Sequence, residues 1–203
     1  MKIKVCGMKF TKNIKMVSDL HPDYLGFIFY GKSIRNFDQI MPEIPSNIQK
    51  VGVFVNESLS KIKEKVKEFN LQVVQLHGTE SSVYVEELKQ KLPKIIIWKA
   101  FSIGNEFDFN ALNKYKYADA YLFDTKGKDH GGNGIQFDWR ILENYKMEKN
   151  IILSGGISAE DVIKIKEITL KVPQIEVIDI NSRFETEPGL KNVDLLRNFM
   201  MNL

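Results

Sequence analysis

NIILSGGISAEDVIKIKEI, residues 150–168, contains one complete structural unit of this chain. NIILSG is an apolar, isoleucine-rich run; Gly155 and Gly156 break it, and Ser158 opens a helical stretch with Glu160 and Asp161 in its first turn. A serine at the boundary and acids in the first turn satisfy amide groups that a helix leaves unpaired at its N-terminus. A near-continuous apolar run suits a strand covered on both faces, as in a parallel sheet. The stretch reads as strand, glycine turn, helix.

The same unit recurs in both directions along the chain. Strand-like runs lie at IKVC (3–6), YLGFIF (24–29), KVGVFV (50–55), VVQL (73–76), KIIIWKAF (94–101), ADAYLFD (118–124), NIILSG (150–155) and EVIDIN (176–181). Helical patterns fall between them. LSKIKEKVKEF (59–69) aligns Leu59, Ile62, Val66 and Phe69, and SSVYVEELKQKL (81–92) is expected to align Val83, Leu88 and Leu92. MPEIPSN (41–47), after the second strand, holds two prolines and reads poorly as helix. Strands recurring every twenty to thirty residues or so, with helices or crossovers between, predict parallel βα units. No linker or low-complexity tract divides the chain. The expectation is an α/β fold with one domain, residues 1–203, closed as a single (β/α)8 TIM barrel. An open doubly wound sheet is the rival, but it normally carries fewer strands in so short a chain.

Composition narrows the function classes. With 43% hydrophobic and 27% charged residues, the chain can bury a full core. Its 29 basic and 26 acidic residues leave a net charge of +3 with no basic block, so no nucleic-acid partner is expected. KIKEKVKEFN (61–70) mixes Lys and Glu at helical spacing and reads as a solvated helix face. A single cysteine, Cys6, excludes an intramolecular disulfide and any zinc site of several thiolates. No apolar run reaches membrane-spanning length and the N-terminus enters a strand at once, so a cytoplasmic location is expected.

Functional groups of such barrels gather where strands end and the following loops begin. Here the first strand ends in Cys6–Gly7, the second runs into Ser33 and Arg35, and the fourth ends in Gln75, His77 and Gly78. The sixth ends in Asp124 before TKGKDHGGNG (125–134), and the eighth in Asp179, Asn181, Ser182 and Arg183. This clustering marks one active-site face. Gly155 and Gly156 before a helix cap read either as a tight turn or as an anion cradle of free amides. Their place after the seventh strand favours phosphate, with Ser182 and its neighbours after the eighth. Asp124 is either a turn aspartate or a general acid shielded by its apolar strand. Cys6 is either a small buried hydrophobe or a reactive thiol. The two sit on roughly opposite sides of an eight-strand ring, with room for a sugar between them. A Cys–His nucleophile using His77 or His130 is disfavoured, since no third orienting group is evident.

Eight segments in order then resemble one family, phosphoribosylanthranilate isomerase. They are KVCGM (4–8), SIR (33–35), VGVFVN (51–56), VQLHG (74–78), LFDT (122–125), GGNGIQFDW (131–139), LSGGIS (153–158) and DINSRFETEPGLKN (179–192). The resemblance implies an aldose–ketose isomerase of tryptophan biosynthesis that needs neither metal nor organic cofactor. It implies Asp124 as general acid and Cys6 as general base. Arg35 would face the anthranilate carboxylate, and Gln75, His77 and Asp179 would contact substrate. Gly155, Gly156, Ser182 and Arg183 would surround the phosphate. The substrate is a small phosphosugar–anthranilate conjugate, and family members are monomers or homodimers. A thiol base at neutral pH needs local help, expected from Arg35, backbone dipoles or the substrate. Residues 126–134 are the expected lid. Arg183 stands where the family usually has glycine, and SIR replaces SPR. The alternatives are another phosphosugar barrel enzyme or a non-catalytic phosphometabolite-binding barrel. Bi-specific isomerases resemble this chain but carry aspartate at the place of Cys6.

Overall fold

The computed structural model describes residues 1–104, 106–125 and 136–203. Eight parallel strands close into a barrel in chain order: β1 (Lys2–Val5), β2 (Tyr24–Ile28), β3 (Gln49–Phe54), β4 (Val73–Leu76), β5 (Ile96–Ile103), β6 (Ala120–Thr125), β7 (Asn150–Leu153) and β8 (Ile175–Ile180). β1 completes the ring by pairing with β8, Lys4 lying opposite Asp179. The expected (β/α)8 barrel is therefore the observed one. The predicted lid, 126–134, and His130 lie outside the described residues.

The crossovers are less uniform than the strands. Helices α1 (Thr11–Ser18), α2 (Leu59–Phe69), α3 (Ser82–Lys91) and α4 (Val162–Lys171) follow β1, β3, β4 and β7. The proline-bearing link from β2 to β3 forms no helix, as MPEIPSN implied. After β5 and β6 the described crossovers are 3₁₀ turns, Phe109–Lys114 and Trp139–Asn144. Beyond β8 an antiparallel hairpin, β9 (Glu185–Glu187) and β10 (Leu190–Lys191), precedes α5 (Val193–Asn202). Among the described residues no helix is long and apolar enough to cross a membrane.

α2 buries Ile62 and packs Leu59, Val66 and Phe69 against the core, as its spacing predicts. α3 corrects the reading of Val83, which is 61% exposed. Five residues turn a helix about 500°, so Val83 and Leu88 cannot share a face. Val85, three residues before Leu88, occupies the buried position instead.

Two apolar shells hold the barrel. One lies between strands and helices; the other fills the barrel itself with Tyr24, Val51, Val73, Trp98, Ala100, Ala120, Leu122, Ile152 and Val177. Side chains alternate along a strand with period two, so the next inward positions are Gln75, Asp124, Ser154 and Asp179. On β1 the corresponding inward pair is Lys4 and Cys6. An apolar plug thus gives way, one layer higher, to a polar floor.

Candidate active site

That floor underlies a pocket at the carboxyl ends of the strands. Cys6, Gln75, Asp124 and Asp179 form its base, while Arg35, His77, Gly155, Gly156 and Ser182 line its walls. Nine of the ten sequence-selected site residues therefore meet in one cavity. Arg183 lines an adjoining depression with Gly156, Ser158 and Lys164.

The Gly155–Gly156 turn has positive φ at both residues, +96° and +65°. Side chains rarely adopt such angles, and a Cβ at Gly155 would lie 3.0 Å from Asp124 Oδ1. The turn leads into the 3₁₀ start, Ala159–Asp161, of α4. The Asp161 carboxylate accepts from Ser158 N at 2.8 Å and from Ser158 Oγ at 2.9 Å, fixing the entry. The Gly155–Gly156 turn thus borders the pocket, and the helix entry behind it lines the adjoining depression, an arrangement that favours an anion.

Asp124 is held from two sides. Oδ1 accepts from Thr125 N at 2.8 Å, and Oδ2 lies 3.2 Å from His77 Nε2. Gln75 Nε2 stands 2.7 Å from His77 Nδ1. An amide N–H donating to Nδ1 leaves the ring proton on Nε2, aimed at the carboxylate. Sequence reasoning placed Gln75 and His77 in the pocket but missed that they form a chain ending on Asp124.

Arg35 reaches the pocket with its guanidinium forked onto Glu185, at 3.0, 3.0 and 2.7 Å. Glu185 also receives Lys191 Nζ at 2.6 Å, and Lys191 donates to Asn181 Oδ1 at 2.7 Å. Burial brings the Lys191 ammonium down to about 8, against the pull of Glu185. Burial works to raise Glu185, but hydrogen bonds from Arg35 and the charge of Lys191 bring it below the usual carboxylate value. Neither Glu185 nor Lys191 was singled out from sequence; both lie in the DINSRFETEPGLKN stretch with no local pattern to mark a charge pair.

Cys6 is buried, and burial pushes its thiol up, with the Lys4 ammonium pulling the other way. The cations acting on it are Lys4 and Lys191, whereas Arg35 is committed to Glu185. Among the described residues, no group of three or more His, Cys, Asp or Glu side chains is arranged to hold a metal ion.

A parallel (β/α)8 barrel with a carboxyl group, a thiol and a glycine-bounded helix entry at one mouth is the arrangement of a sugar-phosphate barrel enzyme. Residues 3–202 match the sequence profile described as N-(5'phosphoribosyl)anthranilate (PRA) isomerase. The chain belongs to that family and is an enzyme of that class. It is 40% identical over 210 residues to the N-(5'-phosphoribosyl)anthranilate isomerase of Parabacteroides distasonis, covering 100% of this chain and 93% of the relative. The crystal structure of phosphoribosyl anthranilate isomerase from Thermotoga maritima superposes with a TM-score of 0.83 at 31% identity, covering 100% of this chain and 98% of that one. A third similar structure is a phosphoribosyl anthranilate isomerase in complex with reduced 1-(o-carboxyphenylamino)-1-deoxyribulose 5-phosphate. Its TM-score is 0.81 at 29% identity, covering 100% of this chain and 97% of that one.

Proposed function

We propose that residues 1–203 act as one catalytic unit. The reaction is the Amadori rearrangement of N-(5-phosphoribosyl)anthranilate to 1-(2-carboxyphenylamino)-1-deoxyribulose 5-phosphate in tryptophan biosynthesis. The observation that carries this reading is the convergence of Cys6 and Asp124 on one pocket whose rim includes Gly155 and Gly156.

In this reading the phosphate rests on the amides of Gly155 and Gly156 and on Ser182, with Arg183 adding charge from the adjoining depression. Arg35, steadied by Glu185, meets the anthranilate carboxylate, as a guanidinium fork suits a planar anion. Gln75, His77 and Asp179 complete the substrate contacts. Asp124 gives its proton to the ring oxygen; the C1–O bond breaks and the anilino nitrogen supplies electrons to form the C1=N iminium. Cys6 thiolate then takes the C2 proton, and the C–H pair becomes the C1=C2 bond of the enolamine. Tautomerisation moves the hydroxyl proton to C1 and yields the ketone. The iminium acidifies C2, so acid and base suffice without metal or cofactor.

The test is turnover of phosphoribosylanthranilate generated in situ, followed by loss of its anthranilate fluorescence. Wild type should decay rapidly, and Cys6→Ser and Asp124→Asn should each fall by at least about a hundredfold. Decay in Cys6→Ser at the wild-type rate would remove the base assignment. Decay no faster than the spontaneous rate in wild type would remove the reaction itself and direct attention to other phosphosugars.

A further inference from the structure

Beneath the pocket floor lies Lys4, a buried charge that the reaction scheme leaves unused, in contact with floor residues. Lys4 and Cys6, two residues apart on β1, both project into the barrel. Gly26 on β2 draws them together. A Cβ there would sit 2.9 Å from Cys6 Sγ and 3.0 Å from Lys4 Cε, so both side chains use the space that the missing Cβ leaves. On the opposite side Lys4 Nζ donates to Asp179 Oδ1 at 2.8 Å, and Ser154 Oγ donates to Asp179 Oδ2 at 3.2 Å. Lys4 is 0% exposed and Asp179 5%.

An ammonium carries three N–H donors; Asp179 takes one at 2.8 Å, and the Cys6 side chain draws on the same ammonium by charge and hydrogen bonding. The other charged neighbours are already engaged. Lys191, on β10, acts on Cys6 at longer range but is bound to Glu185 and Asn181. Glu185, on β9, holds Arg35 from the loop after β2. His77 and Asp124, on the β4 and β6 side of the pocket, bind one another. Lys4 and Asp179 are thus the pair with direct leverage on the thiol, and they pull in opposite directions. Burial works to strip the proton from Lys4, but the charges of Asp179 and Cys6 hold its pKa above the ordinary lysine value, so it stays cationic through the neutral range.

We infer that Lys4 is a positioning residue for proton abstraction: its ammonium, anchored by Asp179, is the built-in counter-ion of the Cys6 thiolate. The inference rests on the reading of Cys6 as base. The thiol gives its proton to water, and Lys4 keeps all of its own. When the thiolate later takes the C2 proton, the ammonium returns fully to Asp179. No further reactant is required. Asp179 sets how much of the cation the sulfur receives.

Because Cys6 is the sole cysteine, its ionisation can be followed without ambiguity by the ultraviolet absorbance of the thiolate, with Cys6→Ser protein as the blank. Lys4→Met keeps the length and removes the charge. Its thiol should titrate at least about one pH unit higher than wild type, the lower end of what a contacting charge achieves. Asp179→Asn should move it by a similar amount in the opposite direction. Turnover of Lys4→Met should fall about tenfold at neutral pH and recover as pH approaches the displaced titration. A purely structural role gives a different pattern: both variants would admit water and both thiols would move down toward the free-cysteine value. A downward shift or no shift in Lys4→Met overturns the inference. Should Lys4→Met fail to fold, as judged by circular dichroism, an unshifted or raised titration in Asp179→Asn overturns it instead. Full turnover in Cys6→Ser would defeat the base assignment while leaving the Lys4-dependent titration measurable, so the two failures are separable.

Discussion

Replacing Glu185 by glutamine removes a negative charge from between two cations while nearly preserving shape. The Glu185 side chain is 4% exposed and the Lys191 side chain 0%. After the substitution the Lys191 ammonium faces only neutral oxygens, Asn181 Oδ1 at 2.7 Å and Asn181 O at 3.4 Å among them. Removing one partner of a buried ion pair costs about 3–5 kcal/mol, because the remaining charge keeps its desolvation penalty. A chain of this size loses about 2–4 °C of Tm per kcal/mol, so the expected drop is about 6–20 °C. The drop should depend on pH. Lys191 titrates at about 8 in the native protein against 10.5 for an ordinary lysine. Between those values the unfolded chain holds a proton that the native chain has shed, so stability rises with pH in that window. Without Glu185 the native value falls further and the window opens at lower pH. The variant therefore recovers earlier, and the gap to wild type narrows as pH rises toward about 8, then stays level. Thermal or urea unfolding of both proteins at about pH 6 and about pH 9 measures this directly. A Tm loss below about 2 °C at both values, or a gap that widens with pH, would refute the reasoning.

Two further substitutions probe the walls of the pocket. Gly155→Ala places a Cβ 2.7 Å from Thr125 N and 3.0 Å from Asp124 Oδ1 at a φ of +96°. Displacement of the acid should lower kcat by about a hundredfold, whereas Gly31→Ala, with nothing within 4 Å of its Cβ, should leave steady-state kinetics unchanged. Arg35→Lys keeps the charge but cannot fork onto Glu185, so KM should rise about tenfold with kcat within about threefold of wild type. A loss confined to kcat would remove Arg35 from ground-state binding.

The strands were legible to within two or three residues because several are near-continuous apolar runs ended by glycine or polar residues, as KVGVFV and NIILSG are. Helix faces were legible only where the spacing obeyed the helical period. Leu59, Ile62, Val66 and Phe69 do; Val83 and Leu88 do not, and Val83 is exposed. The crossovers after β5 and β6 carry apolar residues without a sustained helical stripe, and tertiary packing leaves them as 3₁₀ turns. Phe109 and Tyr145 then anchor these turns on Phe123 by edge-to-face contacts rather than by a helix face.

The site was legible in its first layer because residues at strand ends are chemically conspicuous among hydrophobes. Its second layer was not. Lys2-Ile3-Lys4-Val5 reads as polar–apolar alternation, and in a half-exposed sheet that pattern sends lysines to water. A closed barrel has no such face: one side of β1 meets helices and the other meets the barrel interior. Lys4 is 0% exposed because its inward position lies one layer below Cys6, where a charge persists only with a partner such as Asp179. The rule that recovers it is geometric. Counting back two residues from a strand-end functional group names the residue directly beneath it, which gives Lys4 from Cys6, Val73 from Gln75, Leu122 from Asp124 and Val177 from Asp179. Three of these are apolar, so the exception under Cys6 stands out. The Glu185–Lys191 pair escapes even that rule, because a hairpin after the last strand, rather than any barrel register, folds it back onto Arg35 and Asn181 at the pocket wall.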